Sequence, residues 1–125
     1  MLQEKIKYQC ILDFGRFSLQ ADLFDHPVAG EFFKHLPYTV ELTAWGGELY
    51  GGIGHDLGSC RPIPEIPEGG LAYSSRGYFL CIFFGQRPAW PVEYIGRIRG
   101  DTWQQLTTAG GLDRVVVSRV QVDGD

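Results

Sequence analysis

Two carboxylates and two large aromatics lie close together in YTVELTAWGGELYGGI, residues 38–53: Glu41, Trp45, Glu48 and Tyr50. Trp45 and Tyr50 offer flat apolar area, and Glu48 beside them can orient a hydrogen-bond donor or a cation, which is the make-up of a small-molecule or peptide groove. Paired carboxylates for acid/base work are the other chemistry these residues suggest. Glu41 and Glu48 fall on different strands about three residue steps, or about 10 Å, apart, too far to share a proton. An inverting-type pair would need a water and a sugar pocket, of which the sequence gives no sign. A second polar group, His55, Asp56, Cys60 and Arg61, sits in GHDLGSCRPIPEIPEGG, residues 54–70. Its spacing matches no metal-ligand pattern, and a Cys/His nucleophile needs its base within hydrogen-bond reach, so the reading is a polar loop. No metal or cofactor is expected from these strings, and no catalytic motif in them is strong enough to name catalytic residues.

The elements that must hold the groove start with Gly46-Gly47, a pair suited to a type I′ hairpin turn. That turn pairs Trp45 with Glu48, Ala44 with Leu49 and Thr43 with Tyr50. Val40, Leu42, Ala44, Leu49 and Ile53 then form an apolar core side, while Glu41, Thr43, Trp45, Glu48 and Tyr50 form the binding side. The loop 54–70, rich in proline and glycine, is long enough to cover or line a site. The competing expectation is that it packs over Trp45 and Tyr50 and leaves Glu48 solvated or capping.

Upstream, Ile6, Tyr8, Cys10 and Leu12 alternate with polar residues, as do Phe17, Leu19, Ala21 and Leu23 after a turn at Asp13-Phe14-Gly15, giving an antiparallel hairpin. Asp25 is placed to cap a helix with Val28, Phe32 and Leu36 on one stripe, stopped by Pro37. Downstream, Leu71–Ser75 and Tyr78–Phe84 form a hairpin across Arg76-Gly77. The run YFLCIFF is apolar on both faces and should be central and covered on both sides. VEYIGRIR is a further strand in which Gly96 marks a bulge or a close backbone approach. Asp101 and Gln104 have the spacing of a capping box opening a short helix with Trp103 and Leu106. Arg114 to Val122 is a strand with Val116, Val120 and Val122 on one face.

With 125 residues, the chain has room for one domain, taken as 1–125. A net charge of −4 argues against nucleic acid and against an anionic membrane surface, since both need a basic patch. Only Arg97 and Arg99 stand close together on a strand. Three cysteines, with Cys10 and Cys81 in strand-like runs, read as reduced thiols rather than a disulfide scaffold. No apolar run approaches the ~20 residues needed to span a bilayer, and the N-terminus has no apolar signal segment, so a cytoplasmic protein is expected. These elements predict a mainly β protein: a closed barrel of about eight mostly antiparallel strands, with a short helix over each open end.

The order of elements, with AWGGELY (44–50), GYFLCIFFGQRP (77–88), YIGRIRGDTWQQL (94–106) and the helix HPVAGEFFKHLP, resembles the cyclophilin-like barrel. It resembles most a small family of uncharacterised bacterial and archaeal cyclophilin-like proteins. The resemblance implies a shared barrel and a groove on the side of Thr43, Trp45, Glu48 and Tyr50, with Tyr73 and Phe84 as further lining residues or, alternatively, as core. Cyclophilins are peptidyl-prolyl isomerases whose arginine, on a barrel strand beside an apolar proline pocket, helps weaken the C–N double bond. Residues 38–53 contain no arginine, and Val92 stands where a pocket histidine would be. The expectation is therefore a ligand- or peptide-binding barrel without isomerase activity. The alternatives are an isomerase that takes its arginine from a loop (Arg61, Arg76 or Arg87) and a homo-oligomer that buries the aromatic face.

Overall fold

The computed structural model describes residues 5–120. Nine strands run in chain order with two short helices: β1 Ile6–Asp13, β2 Ser18–Phe24, α1 Pro27–Lys34, β3 Tyr38–Glu41, β4 Thr43–Trp45, β5 Glu48–Gly52, β6 Gly70–Ser74, β7 Phe79–Phe83, β8 Glu93–Ile98, α2 Gln105–Thr108 after a 3-10 turn at Thr102–Gln104, and β9 Arg114–Arg119. They form one sheet in the order β3-β9-β1-β2-β8-β6-β7-β5-β4, with every pairing antiparallel, which wraps into a nearly closed barrel. Among the described residues no helix is long and apolar enough to cross a membrane.

The ninth strand arises because residues 38–45 do not form one strand. Tyr38–Glu41 pairs with β9, Leu42 donates its N–H to the Asp113 carbonyl at 2.9 Å, and Thr43–Trp45 then pairs with β5. The segment thus changes partner at Leu42 and connects the two ends of the sheet order. Across the same seam β5 approaches β3 so closely that a Cβ added at Gly51 would lie 2.1 Å from the Glu41 carbonyl oxygen and 2.6 Å from Val40 Cγ1.

Inside the barrel, Cys10, Leu12, Leu19, Leu23, Val40, Leu49, Leu71, Leu80, Ile82, Ile95, Val115 and Val117 make one core, joined by Val28, Ala29 and Phe32 of α1 and Leu106 of α2. Burial pushes the Cys10 thiol up to about 12, in line with a small inert hydrophobe. The inward valines of β9 are Val115 and Val117, whereas Val116 is half-buried on the other face. The face that carries Val116 is thus the outer one, the valines on both faces of β9 leave the inward side unmarked in the sequence, and Val122 lies outside the described residues. On β8 the register with β6 skips a residue between Gly96 and Tyr94, and a Cβ on Gly96 would lie 2.4 Å from the Asp22 carbonyl oxygen. Gly96 marks both the bulge and a close approach.

Helix ends also differ from expectation. His26, not Asp25, caps α1: its Nδ1 accepts the Val28 N–H at 3.1 Å, while Asp25 faces Lys7 at 3.7 Å. The Asp101 capping box does not form; Thr102 Oγ1 donates to the Arg99 carbonyl instead.

Candidate functional site

The alternation of each strand gives the sheet a second apolar face. Leu80 and Ile82 of β7 point into the barrel, and Phe79, Cys81 and Phe83 point outward. The outward set packs with Ala72, Val92, Ile66 and the half-buried Tyr50, Ile63, Trp90 and Tyr94. β7 lies between β5 and β6 and is covered on both sides, as its unbroken apolar run requires. On this outer face a pocket of about 360 Å³ opens, its floor made by β5 and β7 and one wall by the segment after β7. Its volume falls in the ordinary range for small-molecule sites.

The hairpin that brings Trp45 to the rim has the expected register, Trp45 with Glu48, Ala44 with Leu49 and Thr43 with Tyr50. Its turn differs: only Gly46 is left-handed, at φ +58°, which is the sign pattern of a type II′ turn rather than I′. Gly47 is needed for another reason, since a Cβ there would lie 2.6 Å from the Gly85 backbone. Gln86 Oε1 accepts the Gly47 N–H at 3.0 Å, and Phe84 N–H donates to the Gly47 carbonyl at 2.8 Å. The turn and the 85–90 segment are thereby held together, and Pro88, Ala89 and Trp90 of that segment line the pocket. Trp90 Nε1 donates to Ser74 Oγ at 2.9 Å, and the Arg76 guanidinium lies 4.1 Å from the Trp90 ring centre.

Trp45, Glu48 and Tyr50 all line the pocket, together with Val92. Trp45 is 51% exposed, whereas Glu48 is only 6% exposed. Tyr73 and Phe84 are elsewhere. Tyr73 is fully buried inside the barrel, its hydroxyl donating to the His55 carbonyl and accepting the Leu57 N–H; Phe84 packs against the same core. Phe79, Cys81, Phe83, Ser74 and Trp90 stand in the pocket instead. The pairing of Tyr50 with Cys81 carries the signal that would have found them, because residues of β7 in step with Cys81 share the face of Tyr50. Glu41 is not part of the site; it forms an exposed ion pair with Arg114 at 3.0 Å.

Burial pushes the Glu48 carboxyl above its ordinary 4.5, partly offset by a hydrogen bond with the Cys81 thiol. The Cys81 thiol is itself raised, first by burial and then by the adjacent Glu48. A carboxyl whose folded value is raised binds more protons in the native state than in the unfolded one. Its contribution to stability is therefore largest in acid and declines as pH climbs past 4.5. Glu48→Gln keeps an acceptor for the thiol but has no proton to lose. We expect its stability relative to the parent, read from urea midpoints between pH 4 and 8, to grow in the variant's favour as pH rises; a constant difference would mean that the carboxyl titrates normally.

The loop 54–70 neither covers Trp45 nor contributes to the pocket lining. It is fastened from beneath by Glu93, a carboxylate only 2% exposed, which accepts from Cys60 N–H at 2.9 Å, Arg61 N–H at 2.9 Å and Ser59 Oγ at 3.2 Å, with His26 Nε2 at 3.5 Å. Because His26 Nδ1 accepts from Val28, its Nε2 is the nitrogen that carries a proton toward Glu93. The loop then forms a two-way bridge between Ile63 and Val92 and sends Ile66 into the outer cluster. His55 bonds Tyr38 through Nδ1 at 3.0 Å, Cys60 is exposed, and no group of three metal-ligating side chains occurs among the described residues. The loop arginine Arg61 is tied to Glu93 through its backbone, Arg76 lies on Trp90, and Arg87 faces Glu65 at 3.7 Å.

A family model described as cyclophilin-like matches residues 8–118. The chain belongs to the cyclophilin-like family. Among solved structures, this cyclophilin-like barrel is similar to the solution structure of the hypothetical protein AF2241 from Archaeoglobus fulgidus, with a TM-score of 0.72 and 23% identity over 96% of this chain and 100% of that one. It is also similar to McbB, solved in complex with tryptophan, with a TM-score of 0.71 and 19% identity over 93% of this chain but 45% of McbB. At these identities the likeness is one of fold. No curated protein matches the cyclophilin-like chain.

Proposed function

We propose that this cyclophilin-like barrel binds a small ligand carrying a flat apolar group in the pocket of Trp45, Glu48 and Tyr50. The observation that carries the reading is the aromatic-walled pocket of about 360 Å³ around a buried carboxylate, on a sheet face separate from the barrel core. Flat rings gain from aromatic walls beyond area burial alone, and one convergent polar group fixes orientation. The tryptophan complex of its fold neighbour McbB supports an indole as the first probe. A peptidyl-prolyl isomerase is the weaker reading: none of Arg61, Arg76 and Arg87 is a lining residue, and the guanidinium groups of Arg76 and Arg87 lie on Trp90 and near Glu65.

Calorimetric titration with indole and L-tryptophan tests the reading. Trp45→Ala should weaken whichever probe binds by about tenfold, about 1.4 kcal/mol. Its stability should hardly change, because half of the side chain is already in water. Unchanged affinity in the variant would remove the pocket from consideration. A fall in apparent mass on sizing, without loss of affinity, would instead make this face a contact between subunits.

A further inference from the structure

We infer that the pocket selects a cation: its ligand is an organic ammonium bearing an aromatic ring, with the charge held between the Glu48 carboxylate and the surrounding aromatic faces. The inference rests on the pocket reading above and adds the ligand's charge.

The composition of the lining supports this. Trp45, Tyr50, Phe79, Phe83 and Trp90 supply five aromatic rings, and Glu48 is the one carboxyl among the lining residues, which hold no basic side chain. No lysine, arginine or histidine is among the lining residues, and the Arg76 guanidinium at the edge lies against the Trp90 ring, so an anion inside the pocket would have no cation among its lining residues and a carboxylate against it. A neutral ligand would cover Glu48 further without compensating its charge. An ammonium meets both requirements at once, since it donates to the carboxylate and is attracted to the negative faces of aromatic rings. The protein already uses this attraction at the pocket edge, where Arg76 lies over the Trp90 ring. Trp45, Tyr50, Phe79 and Phe83 remain for a ligand.

Glu48 faces few groups that could substitute for the ligand's charge. It pairs with Phe83 on β7 and with Trp45 on β4, the Cys81 thiol is its hydrogen-bond partner and a neutral donor, and two residues on along β5 is the Tyr50 ring. Burial holds the carboxyl above its ordinary range, and a bound ammonium would draw it back down. Ligand uptake in mild acid should therefore release a proton.

The test uses three probes that share one ring and differ in charge: 2-phenylethylamine, 2-phenylethanol and 3-phenylpropionate. Each is titrated calorimetrically into the intact chain at pH 7.5. The amine should bind about tenfold or more tighter than the alcohol, and the propionate more weakly than either. Glu48→Gln, which is expected to fold at least as well as the parent at this pH, should bring amine and alcohol within about threefold of each other. Near pH 5, titrations in buffers of different ionisation enthalpy should show proton release with the parent and none with Glu48→Gln. If the alcohol equals the amine in the parent, or the variant keeps the preference, the cation inference fails and the ring-binding pocket stands. If none of the three binds, the cation inference fails, and the indole and L-tryptophan titrations decide whether the pocket reading fails with it.

Discussion

Glu93→Ala should lower the unfolding free energy by about 3–5 kcal/mol, a large share of the ~5–15 kcal/mol that holds a domain of this kind together. The carboxylate is the single acceptor for three donors of one loop turn, the N–H groups of Cys60 and Arg61 and the Ser59 hydroxyl, and it faces His26 Nε2 from α1. Truncation takes the acceptor from three part-buried hydrogen bonds and leaves the buried His26 Nε2 without its carboxylate; each donor that water does not reach costs about 1–3 kcal/mol. The effect should spread. Without the anchor at residues 59–61 the Ile63 bridge to Val92 has less to hold it, and the outer cluster loses the placement of Ile66. Glu93→Gln retains one carbonyl acceptor but turns an NH₂ toward a donor, so it should fall between parent and alanine. Urea unfolding at pH 7 reads the series. A Glu93→Ala midpoint corresponding to a loss below about 1 kcal/mol would mean that the loop is held elsewhere.

The second large effect is expected at the seam. Gly51→Ala places a Cβ 2.1 Å from the Glu41 carbonyl oxygen and 2.6 Å from Val40 Cγ1, and the nearer obstacle is backbone that cannot rotate away. Either β3 and β5 separate or β3 shifts against β9, with an overpacking cost of about 3 kcal/mol. Its neighbour Gly52 supplies the control: a Cβ there meets nothing within 4 Å and its φ is not left-handed, so Gly52→Ala should lie within about 0.5 kcal/mol of the parent. Equal stabilities for the two alanine variants would show that the seam is not tightly packed.

Much of the site was readable because a hairpin ties parity to turn position. Once Gly46-Gly47 sets the register, Trp45, Glu48 and Tyr50 fall on one face without knowledge of the rest of the fold. The apolar run of β7 announced a strand covered on both sides. The parts that were not readable depend on long-range partners. The break at Leu42 reflects a bond to Asp113, distant in the chain, and no local signal distinguishes it from a continuous strand. Glu93 looks like an ordinary polar residue opening a strand, because its three donors come from a loop with no periodic pattern. Tyr73 and Phe84 were offered to the groove on resemblance, where counting outward from Cys81 in steps of two excludes both. The Asp101 spacing was that of a capping box, yet the turn was closed by Thr102 instead.

The two faces of β5 and β7 divide eight side chains between two tasks. Leu49, Leu80 and Ile82 hold the barrel interior, and Glu48, Tyr50, Phe79, Cys81 and Phe83 line the pocket. Substitutions on sites that share no partners add nearly independently, so the outward set can change chemistry while the inward set continues to specify the barrel. On the proposed pocket reading, a lineage built on this sheet can drift from one ligand to another by single steps at Trp45, Tyr50, Phe79 or Trp90 without passing through an unfolded intermediate. The same property makes the barrel a scaffold on which a library confined to those four positions would yield folded members at high frequency.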